Sequence, residues 1–106
     1  MLCKEVYQSI YIPDLDPYTE KTTLSVLMGV HRNTVGKWHK WANLFIADYK
    51  EASKDSPLMS RYQCWVLGEF HRLSLQLKRK KMIWEHLRKN SQDYSSVEFQ
   101  SIYKSH

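Results

Sequence analysis

The sequence predicts a mainly α-helical fold, and three observations carry that prediction. Apolar residues Val35, Trp38, Trp41, Ala42, Phe45, Tyr49 and Ala52 recur at three- and four-residue steps, the period of one helix face. A second register of fours and threes runs through Met59, Gln63, Val66, Phe70, Leu73, Leu77, Lys80, Trp84 and Leu87, which is heptad spacing. Only three Gly and three Pro fall among 106 residues, so little interrupts either period.

Taken in order, residues 1–12 read two ways. Leu2, Val6 and Ile10 share a helical face, while Ser9, Ile10, Tyr11 and Ile12 alternate like a strand. Residues 13–17, with Pro13, Asp14, Asp16 and Pro17, oppose both helix and ladder and form a turn. A first helix is expected from near Thr19 to Met28, with Gly29 ending it and a second helix starting near Arg32. The second stripe keeps its phase to residue 53, which favours unbroken helix. The alternative stops it near Asn43 and starts a small wing at Leu44. Ser56 as cap and Pro57 in the first helical position then open a long helix running toward Lys89. Polar residues 90–95 end it. Ser95 and Glu98 have capping-box spacing and open a short last helix to about Tyr103. Residues 1–55 and 56–106 are the two regions this organisation implies.

The formal net charge of +5 favours an anionic partner such as nucleic acid or a membrane surface. Four Trp and seven Tyr demand a core or an interface. The two cysteines, Cys3 and Cys64, suit neither a zinc knuckle nor a CxxC redox pair, and a reducing cytoplasm is expected. No apolar run approaches the roughly 18–20 residues that span a bilayer. The first residues lack the basic-then-apolar pattern of a signal peptide, so no membrane association is expected. Histidines 31, 39, 71, 86 and 106 form no HExxH and no i,i+4 pair, and Cys64 with His71 supplies only two ligands. P-loop, nucleophile-elbow and dinucleotide glycine motifs are missing. Neither enzyme activity, a cofactor nor a metal is expected.

Residues 21–40 are the most informative stretch. Leu24 with Leu27 or Met28 gives the first helix an apolar side, and Ser25 is small where two helices would nearly touch. Gly29 supplies a residue tolerant of positive φ, Val30 plugs the turn, and Val35 and Trp38 lie on one face of the second helix. This pattern resembles the helix-turn-helix DNA-binding family over about a fifth of the chain. The basic residues Lys21, Arg32, Lys37 and Lys40 lie in a span with no acid between Glu20 and Asp48.

The resemblance implies double-stranded DNA as partner, with the second helix in the major groove. His31, Arg32, Asn33 and Lys37 are then the base-contacting candidates, Arg32 suited to guanine and Asn33 to adenine. Lys21, Thr22, Thr23, Thr34 and Lys40 are the phosphate-contacting candidates. Gly36 lets the helix approach DNA closely. His31 departs from the family's Ser or Thr before the recognition helix and is expected to be a poorer cap.

The heptad stripe is expected to pair two copies through Val66, Phe70, Leu73, Leu77, Trp84 and Leu87, or to pack within one chain. Lys80 on that seam implies loosened packing or a break, and residues 78–81 form a basic block for phosphates or lipid headgroups. The layout is also similar to mercury-resistance-regulator (MerR-type) transcription factors. Arg61-Tyr62 followed by Leu67, Phe70 and Leu73 matches their entry into the dimerising helix, whereas the wing glycines are missing. The resemblance implies a dimeric transcriptional regulator, read as a repressor, in a bacterial cytoplasm and nucleoid-associated when DNA-bound. A recombination directionality factor or small terminase-like packaging subunit, and a protein-interaction module without DNA, stand as alternatives.

Overall fold

The computed structural model describes residues 18–55, 57–77 and 79–104. The readings of residues 1–12 and 13–17, the cap at Ser56 and the place of Lys78 lie outside them. In chain order the elements are β1 (Tyr18–Thr19), α1 (Lys21–Met28), α2 (Arg32–Phe45), α3 (Ala47–Asp55), β2 (Met59–Ser60), α4 (Arg61–Gln76), α5 (Lys80–Lys89), a 3-10 turn (Ser91–Tyr94) and α6 (Ser96–Lys104). The fold is mainly α. β1 and β2 pair antiparallel, Tyr18 with Ser60 and Thr19 with Met59, tying the entry of α1 to the entry of α4.

The α1–α2 junction follows from local chemistry. Gly29 adopts φ 68°, ψ 31°, the left-handed conformation that costs glycine nothing. Its N–H donates to the Val26 carbonyl at 3.1 Å, and the Val30 N–H donates to the Ser25 carbonyl at 3.1 Å. This pair of bonds is the Schellman closure of a helix end. Buried Ser25 donates its hydroxyl to the Thr22 carbonyl at 2.7 Å, so a polar atom at the helix crossing is satisfied within its own turn.

Two helices are interrupted where the sequence predicts continuity. Ile46 is extended (φ −115°, ψ 108°) and separates α2 from α3. His39 Nδ1 lies 2.7 Å from the Tyr49 hydroxyl and the Ser53 hydroxyl donates to Asn43 Oδ1 at 2.8 Å, both across ten residues. In one continuous helix such pairs would stand about 15 Å apart along the axis. These tertiary bonds, with burial of Ile46 and Tyr49, turn α3 back toward α2. No wing occurs among the described residues; residues 47–55 are helix.

The long second-half helix is likewise two helices, broken at extended Leu77 (φ −107°, ψ 98°). A single helix from residue 59 to 89 would be about 46 Å long, and the largest extent of the molecule is 31 Å. The break resolves the conflict at Lys80. Ile83 and Leu87 of α5 face the core while Lys80 and Lys81 stay exposed. α4 also starts later than expected. Its cap is Ser60, whose hydroxyl accepts from the Gln63 N–H at 3.2 Å while Gln63 Oε1 accepts from the Ser60 N–H at 3.0 Å. This reciprocal capping box outcompetes a start at Pro57.

α4 is the central element, touching α1, α2, α3, α5 and α6. One core joins Leu24, Val35 and Trp38 from the first half to Val66, Leu67, Phe70 and Leu87 from the second, so the two regions share a single interior. The stripe expected either to pair two copies or to pack within one chain is largely packed within this chain. Val66, Phe70, Leu73 and Leu87 are buried within this chain, Leu77 is half-buried, and Trp84 alone of the six is exposed. α4 has apolar neighbours on most sides, and that demand is met intramolecularly. Buried polar groups are paired too: Gln63 Nε2 donates to Ser53 Oγ at 2.9 Å, and the Tyr62 hydroxyl donates to the Tyr94 carbonyl at 2.6 Å. Asp48 Oδ2 accepts from the N–H and hydroxyl of Ser96, and Ser95 Oγ accepts from the Glu98 N–H, which fixes the start of α6. No described helix is long and apolar enough to cross a membrane.

Candidate nucleic-acid interface

α2 buries Val35, Trp38 and Ala42 against the core, so its remaining surface is set by the helix period. Arg32, Asn33 and Lys40 are exposed, with Gly36 and Lys37 half-buried between them. Positions 33, 36, 37 and 40 are three and four apart and share one face. Among the described residues, a Cβ built on Gly36 meets no atom within 4 Å beyond its own helix, so their packing gives no reason for glycine there. Arg32 and Lys40 have no ion-pair partner among the described residues, and no acid lies on α2.

His31 is the N-cap of α2. Its Nδ1 accepts from the Asn33 N–H at 3.0 Å, the bond that a Ser or Thr hydroxyl would make at this position. The expected poorer cap is thus a working one. An accepting Nδ1 places the ring proton on Nε2, leaving that N–H able to donate outward from an exposed ring. Thr34 is half-buried in the first turn.

At the start of α1, Thr22 and Thr23 are exposed and Lys21 is half-buried. Glu20 stands at the N-cap with no side-chain cap bond. Its carboxylate opposes an anion at this end, and Lys21 offsets it. Lys21 also lies close enough to His39 to act on its charge. Desolvation lowers the His39 pKa, and repulsion from Lys21 lowers it further. Burial holds the Tyr49 phenol protonated, and its hydroxyl is hydrogen-bonded with His39 Nδ1. That pair, with Tyr49 fully buried and His39 half-buried, fastens α3 to α2.

One neighbour of this surface was missed by sequence reasoning. Lys80, at the first position of α5, lies beside Lys37 of α2. Hydrogen-bonding reach to Lys80 lowers the Lys37 pKa, with desolvation and repulsion from the same ammonium adding to the effect. The basic block at 78–81 is plain in the sequence, but the place of Lys80 near α2 depends on the break at Leu77. At the other end, Phe45 and Trp84 meet edge-on with ring centroids 5.2 Å apart, and the Arg88 guanidinium lies 5.8 Å from the Trp84 ring centre. The structure therefore groups His31, Arg32, Asn33, Lys37 and Lys40 on and around α2, and places Lys21, Thr22 and Thr23 on α1.

Metal ligation has no foothold among the described residues, where no three His, Cys, Asp or Glu gather. Cys64 and His71 are both buried; burial pushes the Cys64 thiol up to about 11, and desolvation lowers His71. Comparison of the chain with protein-family models, curated proteins and solved structures yields no match.

Proposed function

We propose that this chain binds double-stranded DNA with α2 in the major groove, as a sequence-selective regulator of transcription. The observation that carries the reading is the exposed, acid-free face of α2, with Arg32, Asn33 and Lys40 around a glycine that packing among the described residues does not require. A glycine-closed turn after α1 and a capped start at His31 hold that face at a fixed angle to the core. Arg32 offers a bidentate donor for guanine O6 and N7, and Asn33 offers the donor–acceptor pair for adenine. Lys37, Lys40, Lys21 and the threonines contact phosphates and set the register. Pairing of two copies is a separate matter. It would have to use residues outside the buried stripe, and Leu44 (68% exposed), Met82 and Trp84 are the exposed apolar side chains of α2 and α5.

Selection of bound duplexes from a random library tests the reading. A preferred site should emerge, and Arg32→Ala should weaken it by roughly 1–3 kcal/mol while relaxing preference at one base pair. Enrichment of no site, or an unchanged preference in Arg32→Ala, would count against α2 as the reading helix.

A further inference from the structure

We infer that Leu44, in the last turn of α2, contacts the C5-methyl group of a thymine in the bound duplex, which extends base recognition to the far end of the helix. The inference rests on the duplex-binding reading above and adds a docking direction to it. Its basis is one line of side chains. Asn33, Lys37, Lys40 and Leu44 follow one another at steps of four, three and four, so they form a single stripe along α2. Val35, Trp38 and Ala42 are buried on the opposite side. Asn33 and Lys40 are exposed and Lys37 is half-buried, and Leu44 continues their line with 68% of its surface open. The next residue, Phe45, is turned to meet the Trp84 ring of α5, with 5.2 Å between centroids. Leu44 lies about 100° round the helix from it and stays with the polar stripe.

The groove offers this side chain one kind of partner. A leucine gains nothing from water and has no hydrogen bond to give a base edge. Of the groups that base pairs present in the major groove, the thymine C5-methyl is the apolar one. Contact with it takes apolar surface of both partners out of water. Lys37 and Lys40 act differently, since an ammonium on a phosphate carries no base information. From Asn33 to Leu44 the helix axis rises about 16 Å, or about five steps of 3.4 Å along the duplex. A helix entering the groove by its N-terminus alone would carry Leu44 away from the bases. The stripe therefore sets α2 lengthwise in the groove, with the Asn33 and Leu44 contacts about five base pairs apart.

The test uses the full chain and the duplex that wild type selects from a random library. Each thymine of that duplex is replaced in turn by deoxyuridine, which removes the C5-methyl and keeps the pairing. Wild type should lose about fourfold in affinity at one thymine, the value for one buried methyl-sized group. Leu44→Ala should bind the unsubstituted duplex more weakly by a similar factor and be indifferent to deoxyuridine at that position. Its salt slope should equal that of wild type, because no phosphate contact is lost. The sensitive thymine should lie about five base pairs from the pair whose preference Asn33→Ala relaxes. Free Leu44→Ala should melt with wild type and sediment as wild type does. Wild type indifferent to every deoxyuridine, a selected site without thymine, or an equal deoxyuridine loss in Leu44→Ala would overturn the contact and leave the duplex-binding reading standing. A clearly lower melting temperature for Leu44→Ala would mean that its own chain holds Leu44, and a change in subunit number would mean that a second copy covers it; either would also overturn the contact. Failure of wild type to select any duplex would overturn both.

Discussion

Replacing Gly36 by alanine separates what the fold needs from what the proposed interface needs. Gly36 lies inside α2, with four helical residues before it and nine after. An interior glycine costs a helix roughly 0.5–1 kcal/mol relative to alanine, through backbone entropy. Here no steric cost offsets that gain, because the added Cβ meets nothing within 4 Å beyond its own helix and the backbone φ is not positive. Gly36→Ala should therefore stabilise the free protein by about 0.5–1 kcal/mol, or raise the melting temperature by about 2–8 °C for a chain of this size. Urea titration reads the effect as a higher midpoint at unchanged slope. Against duplex DNA the sign reverses. A methyl group on the approach face acts as overpacking, which costs about 1–3 kcal/mol, so binding should weaken by about tenfold or more. A variant less stable than wild type would refute the open space at Gly36. Equal DNA affinity would refute close approach of this face to the groove.

Four further outcomes follow from the same structure. Gly29→Ala, at φ 68°, should destabilise the protein by about 1–2 kcal/mol in the same urea titration, with no change meaning that the turn does not need positive φ. Gln63→Leu removes the back-bond of the α4 capping box and the partner of Ser53, in a side chain only 1% exposed, and should cost about 1–3 kcal/mol; a neutral result would contradict the network. The pKa values of His39 and His71 are both lowered by desolvation in the folded state, so the unfolded state binds more protons below the ordinary histidine value of 6.5. Stability should hold above that pH and fall as pH drops through the folded values, and His39→Gln should lessen the fall; stability flat down to pH 5 would count against both burials. Cys64 is buried with its thiol pushed up to about 11, so a thiol reagent at pH 7.5 should leave it unmodified until urea unfolds the chain, as peptide mass mapping would show.

What the sequence makes legible is chemistry that acts within one or two turns. Ser25, Gly29 and Val30 announce the α1–α2 turn because their size and backbone freedom are needed whatever surrounds them, and Val35 and Trp38 follow from helix period alone. Ser95 and Glu98 announce α6 in the same way. The breaks at Ile46 and Leu77 have no such marker. Neither is Gly nor Pro, and the apolar stripes keep their phase across both. Partners ten residues away, Tyr49 for His39 and Ser53 for Asn43, decide the first. At the second, Lys80, the one charged residue on a mostly apolar seam, is a faint signal, since a continuous helix would bury its charge. The same breaks explain why Val66, Phe70 and Leu73 serve the chain's own core, where a straight helix would have offered them to a second copy. They also explain why Lys80 beside Lys37 could not be read from spacing. His31 caps α2 although it is neither Ser nor Thr, because imidazole Nδ1 reaches the same N–H that a hydroxyl would.

The central claim is that the α2 face binds duplex DNA, and a salt titration of wild-type binding tests it most directly. Fluorescence anisotropy with a labelled random duplex at low salt should show saturable binding. The logarithm of the binding constant should then fall linearly with the logarithm of salt concentration, with a slope of about −0.9 per phosphate neutralised. No binding at low salt, or binding indifferent to salt, would contradict the account.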